Sequence, residues 1–263
     1  MTRKIWWTDF SASEFDSLDP MNTIAILPIA AIEQHGPHLP VGTDTIINQS
    51  MIELLATRAP AGLNLRILPV QAIGKSNEHI WSKGTITHQA TNLIDAWTQI
   101  GLEVARSGIK KIIFINSHGG NEDIMSIVAR ELRVRAGMLA IRSGWRFTPD
   151  GVLTDLERRH GIHGGDAETS LILHFKPDLV DMTKADNFVS ITARDEQQFK
   201  HLRPTGAFGH LYAWIASDIN PSGAVGDAAS ASAEKGRTIA EANVTGMLEV
   251  LTEIAAMPLP GQR

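Results

Sequence analysis

The chain has no cysteine in its 263 residues, which removes disulfides, thiolate metal sites and thiol nucleophiles together. No apolar run approaches the roughly 20 residues needed to cross a bilayer. Residues 1–10 also lack the layout of a signal peptide, so the expected location is the cytoplasm, with no membrane partner. Basic clusters are missing as well. Lys and Arg total 24 against 29 Asp and Glu, a net charge of -5, which leaves no electrostatic footprint for nucleic acid. What is present is ordinary for a folded protein: 43% hydrophobic and 20% charged residues. A chain of this length buries a large core, and 1–263 is read as one domain.

Apolar runs alternate with amphipathic stretches, the rhythm of a three-layer α/β/α sandwich around a mostly parallel sheet. Residues 23–32 read as a buried parallel strand, with further strands over 65–70, 111–116 and 138–141. Ile47, Met51, Leu54 and Leu55 recur at helical spacing, which makes Asp44 a candidate N-cap. Helices are also predicted over 92–106 and around Met125, Val128 and Leu132. Another opens at His163-Gly164-Gly165-Asp166, carries Glu168 in its first turn and stops at Pro177. Glycines and prolines over 204–226 mark long loops. A long helix over 228–254 closes the chain.

The chemistry gathers in three loops. Glu33, His35, His38 and Asp44 fall in a Gly- and Pro-rich turn directly after the first strand; His118 follows the third strand; His163 and Glu168 stand at a helix entrance. Carboxylates and imidazoles without thiolates suit Zn²⁺, Mn²⁺ or Fe²⁺. In extended chain, residues two apart point to one side, so Glu33 and His35 can flank a metal pair, with Asp44 folding back as the bridge. Two ions about 3.5–4 Å apart share a hydroxide that attacks a carbonyl. Each residue also has a plainer reading. Glu168 suits the helix dipole, and His163 reads as a general acid or as a cap. Trp145 reads as a flat wall for a planar substrate or as core. The amides of Gly119 and Gly120 line an anion site or merely turn the chain. His38 and His79 orient ligands or are structural.

The segment Ile32-Glu33-Gln34-His35-Gly36-Pro37-His38-Leu39-Pro40, with Thr43-Asp44, resembles the signature of the creatininase family of amidohydrolases. So do four later blocks, in family order: Ser76-Asn77-Glu78-His79 with Gly84-Thr85-Ile86; residues 116–121; His163-Gly164-Gly165 with Glu168-Thr169-Ser170; and Gly223-Ala224-Val225-Gly226-Asp227 with Glu234-Lys235-Gly236. The resemblance covers nearly the whole chain. It implies a binuclear metal site, a homohexamer and hydrolysis of a carbon–nitrogen amide bond. Glu33, His35, Asp44 and His118 fall on the family's metal-ligand positions, with Asp44 bridging, and His163 on the position proposed as acid. Gly119 and Gly120 stand where creatininase has a tyrosine that contacts the substrate ring and a glutamate ligand. That departure makes Glu168 the candidate replacement carboxylate and points away from creatinine as substrate.

The expectation is therefore a metal-dependent amidohydrolase with two divalent ions per chain, acting on a small cyclic amide or a formamide. Two alternatives stand beside it. One is a lactonase or peptide-trimming hydrolase on the same site, since an activated hydroxide attacks any carbonyl in reach. The other is a non-catalytic α/β binding protein in which a closed metal site is purely structural.

Overall fold

The structure is a computed structural model that describes residues 3–205 and 210–261. Four parallel strands form the central sheet in the order β2-β1-β3-β4: β1 (Thr23–Ile29), β2 (Asn64–Ile67), β3 (Lys111–Asn116) and β4 (Leu139–Gly144). β1 and β3 are buried along their entire length. Successive side chains enter opposite layers, as the period of two requires. Ile24, Ile26, Ile113 and Ile115 pack on one face, against α1 (Thr43–Arg58), α5 (Asp166–Phe175) and α8 (Ala233–Ala256). Ala25, Leu27, Ile29, Ile112 and Phe114 pack on the other, against α2 (Ala90–Arg106) and α3 (Glu122–Ala136). The result is the expected α/β/α sandwich, and it explains why these strands read as continuous apolar runs.

Pro28 sits in a central strand without breaking it. The β1–β2 pairing ends at Ile26 and Ile67, so the missing amide falls where β2 has already diverged. The remaining elements are α4 (Asp155–His160), α6 (Ile191–Gln198), α7 (Ala216–Ile219) and the short pairs β5 (Asn187–Phe188) with β8 (Gly226–Asp227), and β6 (Leu202–Arg203) with β7 (His210–Leu211). Of the predicted loop over 204–226, residues 206–209 lie outside the described residues. α5 and α8 cross closely: a Cβ on Gly236 would lie 1.9 Å from the Ser170 carbonyl oxygen, and Lys235 pairs with buried Asp166.

Several boundaries differ from the sequence expectation: β2 closes at Ile67 rather than at residue 70, and β4 runs on to Gly144 rather than ending at residue 141. β1 ends at Ile29, and the chain then turns, leaving Ile32 in an isolated bridge to Ile86. α1 starts before Asp44: the N-cap is Gly42, and Asp44 sits inside the first turn with its side chain buried. Asp44 is therefore not the cap. The closing helix starts at Ala233, because residues 228–230 form a separate 3₁₀ turn and Ser232 caps α8 by accepting from the Lys235 amide. The order of the sheet matters more for function than these boundaries. α1 leaves β1 towards β2 on one face, whereas α2 and α3 lie on the other, so the crevice beyond the ends of β1 and β3 is a topological switch point, where ligands of open α/β sheets gather.

Candidate metal centre

Both strand ends at the switch point are tied down before any charged group is placed. Asn48 of α1 donates to the carbonyls of Ile29 (2.6 Å) and Ile115 (2.9 Å). Asn121, in the turn after His118, donates to the Ala30 carbonyl and accepts from the Lys75 amide. Ser117 donates to the Asp44 carbonyl at 2.9 Å. The turn at residues 33–36 requires Gly36, whose φ of +73° is left-handed and whose Cβ would lie 2.7 Å from that of Ala224.

These anchors bring Glu33, His35, Asp44, His118 and Glu168 into one cluster. Asp44 lies between two imidazoles: its Oδ1 is 3.5 Å from His35 Nε2 and its Oδ2 is 3.5 Å from His118 Nδ1. Glu33 Oε1 approaches His118 Nδ1 at 3.1 Å, and Glu168 Oε2 lies 3.7 Å from His35 Nε2. Two half-sites thus meet at Asp44, one formed with Glu33 and His118, the other with His35 and Glu168. The unused nitrogen of each imidazole is committed to backbone. His35 Nδ1 donates to the Glu33 carbonyl (2.9 Å) and His118 Nε2 to the Lys75 carbonyl (2.8 Å). Those bonds set the tautomers and leave the lone pairs of His35 Nε2 and His118 Nδ1 facing the carboxylates, the arrangement a ligating histidine needs.

Both oxygens of Glu33, His35 Nε2 and Asp44 Oδ2 are buried and have no hydrogen-bond partner among the described residues. Buried acceptors left in this state are costly unless a cation completes them. The donor set therefore fits divalent metal, and groups such as His35–Asp44–Glu168 and Glu33–Glu78–His118 have ligand atoms within 4.8 Å of one another. In the metal-free chain protons take the place of cations. Burial pulls His35 and His118 down, but Asp44 beside His35 and Glu33 beside His118 more than offset this and hold each at about 10. Burial pushes Glu33 up, yet the surrounding imidazoles, His118 foremost, carry it far below the usual carboxylate range. Glu168 is raised to about 7, chiefly by burial.

His163 is the middle ring of a stack, with centroids 4.1 Å from His35 and 4.2 Å from His79. Its Nε2 donates to the Gln34 carbonyl at 2.5 Å, and its Nδ1 lies 3.5 Å from Glu33 Oε1. Burial holds it well below the ordinary imidazole range. Gln34 donates to His79 Nδ1 (2.7 Å), which leaves His79 Nε2 to face Glu33 Oε1 at 3.4 Å. His38 lies outside the cluster, bonded to Thr169 at 2.9 Å and stacked on Phe188. Trp145, directly after β4, packs against the core with its indole nitrogen buried and without a hydrogen-bond partner among the described residues. Gly119 and Gly120 form a 3₁₀ turn. A Cβ on Gly120 would meet the Lys75 carbonyl and Glu78 Oε1, whereas nothing lies within 4 Å of one on Gly119. Glu78, 3.5 Å from His118 Nε2, and Gln34 were not singled out as site residues from sequence. Their sequence signal was their place inside two of the family-like blocks, Gln34 between Glu33 and His35 and Glu78 beside His79.

An α/β/α fold whose central strands lead to buried, uncompensated carboxylates and imidazoles presents a donor set suited to a divalent metal ion. The comparisons with known proteins agree. The family model described as creatininase, creatinine amidohydrolase, matches residues 8–251, and the chain belongs to this family of amidohydrolases, enzymes that act on carbon–nitrogen bonds. The mycofactocin precursor peptide peptidase of Mycobacterium ulcerans is 30% identical over 81% of this chain and 78% of its own. The creatinine amidohydrolase of Pseudomonas putida is 24% identical over 96% and 98%. A solved structure of creatininase with Mn superposes with a TM-score of 0.71 at 24% identity, over 95% of this chain and 98% of that one. Among the described residues no helix is long and apolar enough to cross a membrane.

Proposed function

We propose that the chain is a binuclear metal-dependent amidohydrolase, in which Glu33, Asp44 and His118 would hold one divalent ion and His35, Asp44 and Glu168 the second, with Asp44 serving both. The observation that carries this reading is the convergence of buried, unpartnered acceptors on one point. Zn²⁺, Mn²⁺ or Fe²⁺ bound there would activate a water near neutral pH and polarise a substrate carbonyl. The chain's own residues do the rest. Lys75 and Glu33 carbonyls orient the ligating rings, and the apolar layers beneath exclude bulk water. Glu168, a quarter exposed, accepts from the Gly164 amide on Oε2, which leaves Oε1 to carry a proton between the attacking water and the departing nitrogen.

His163 is the second candidate for proton delivery, and it must release either Gln34 or Glu33 to act. His163→Ala is expected to lower turnover by roughly 10²–10⁴-fold with two metal ions retained, as measured by metal analysis beside steady-state rates. Loss of an ion in that variant would make His163 a ligand instead.

The substrate class is a small cyclic amide, a formamide or a short peptide. The peptide reading is favoured by one observation: Gly119 is exposed, with open space where a side chain would stand beside His118. The named activity of the mycobacterial relative fits it. A screen of metal-replete protein against creatinine, hydantoins, lactams, formamides, lactones and short peptides tests the proposal. Hydrolysis of an amide class is expected, whereas inertness of the fully loaded protein towards every class would leave the non-catalytic reading. Trp145 is retained as a candidate wall of the substrate space, and a cytoplasmic homohexamer remains the assembly implied by the family.

A further inference from the structure

Glu157 of α4 is a buried carboxylate, 6% exposed, that no step above uses. Its oxygens are divided between two segments. Oε1 accepts from the amide of Asp166, the first residue of α5, and Oε2 from the amide of Asp227 in β8, both at 2.8 Å. Space for it exists only because three neighbours are glycine: Cβ atoms on Gly161, Gly165 and Gly226 would lie 2.2, 2.2 and 2.7 Å from carboxylate atoms. Among the described residues it has no cationic partner within ion-pair range. The adjacent Arg158 and Arg159 pair with Asp150 and Glu196. A charge buried at this cost, in a cradle this tight, holds something in place.

What it holds is the segment that carries His163 and Glu168. His163 and Val225 form an antiparallel bridge, the Val225 amide donating to the His163 carbonyl (2.6 Å) and the His163 amide to the Val225 carbonyl (3.1 Å). Asp166 follows His163 by three residues and Asp227 follows Val225 by two, so the carboxylate ties together the two segments that leave the bridge, with one backbone amide on each oxygen. Two residues beyond Asp166 stands Glu168, whose own carboxylate is tied back to Gly164. We infer that Glu157 is a positioning residue: it clamps the entrance of α5 so that Glu168 reaches the His35–Asp44 half of the centre. The inference rests on the binuclear reading above.

The isosteric Glu157→Gln tests it, since an amide accepts on one side only and turns a donor towards the second backbone amide. Mn²⁺ titration followed by electron paramagnetic resonance of the free ion, with far-ultraviolet circular dichroism and Tm alongside, reads both ions separately from the fold. Wild-type protein is expected to bind two ions. Glu157→Gln should keep the first ion at wild-type affinity and bind the second roughly 10–100-fold more weakly, as loss of an outer support does at metal sites. Gly165→Ala, which crowds the carboxylate without changing its chemistry, should weaken the same ion and gives the same reading if the glutamine variant fails to fold. Unchanged affinity for both ions, whatever happens to Tm, overturns the clamp. Wild-type protein that binds fewer than two ions overturns instead the binuclear reading on which the clamp depends.

Discussion

Asp44→Ala is expected to remove both metal ions and to reduce turnover by roughly a thousandfold or more. Metal stabilisation of developing charge is worth several kcal/mol, at about 1.4 kcal/mol per tenfold in rate. The expectation follows from position. Asp44 is the residue whose two oxygens face different histidines, each at 3.5 Å, so its loss unmakes both half-sites. Alanine also leaves the imidazoles of His35 and His118 with fewer carboxylates, and mutual repulsion of any two bound cations would go unscreened. The backbone of α1 should persist, because Asp44 is not its cap and Asn48, Met51 and Leu55 anchor the helix from further along. Metal content per chain after gel filtration, beside far-ultraviolet circular dichroism, checks both halves. A folded variant with full metal content would show that Asp44 does not bridge.

The second large effect concerns pH. In metal-free protein His35 and His118 are held at about 10, so both are imidazolium at neutral pH, whereas a metal requires the bare nitrogen. Each ion therefore displaces a proton from its histidine, and its apparent affinity should rise about tenfold per pH unit between pH 7.5 and 8.5, and more steeply below that for the ion at Glu168, whose carboxyl is itself held at about 7. For the pair, the combined constant should change by about a hundredfold per unit between pH 7.5 and 8.5. The stability of metal-free protein should move the opposite way. A histidine with a raised folded pKa contributes stability that is complete below its unfolded value near 6.5 and is lost as pH rises through about 10. Tm in excess chelator should thus fall from pH 7 to 10, while loading of the metal improves over the lower part of that range. Chelator-competition titrations and thermal melts measure the two trends. An affinity independent of pH would mean that His35 and His118 bind no proton that metal must displace.

Several parts of this molecule could be read directly along the chain. Residues 111–116 form β3 as expected, because a strand buried on both faces is a continuous apolar run whatever surrounds it. α5 was bracketed by Gly165 and Pro177 through local backbone preferences. Glu33, His35 and Asp44 were legible because one short loop carries all three. Other features were hidden for a stated reason. The end of β1 at Ile29 depends on where its pairing with β3 stops, at Asn116, which no local pattern encodes. Asp44 looked like a cap because it precedes an apolar period, but Gly42 and Thr43 already turn the chain into α1. Glu157 had no motif to mark it, and Gln34 and Glu78, though inside family-like blocks, had no spacing that assigned them a role, since each matters through partners 40 or more residues away or through gaps left by glycines.

Sequence alone determined the layered α/β/α fold, the family and the chemical type of the donors, because strand burial, helical period and side-chain identity are local properties. Tertiary structure decided which oxygen of Asp44 faces which imidazole, which nitrogen of each histidine is free, and that Glu168 stands beside His35. Those are relations between loops far apart in the chain, and only the packing of β1, β3 and α5 around one switch point brings them within a few ångströms.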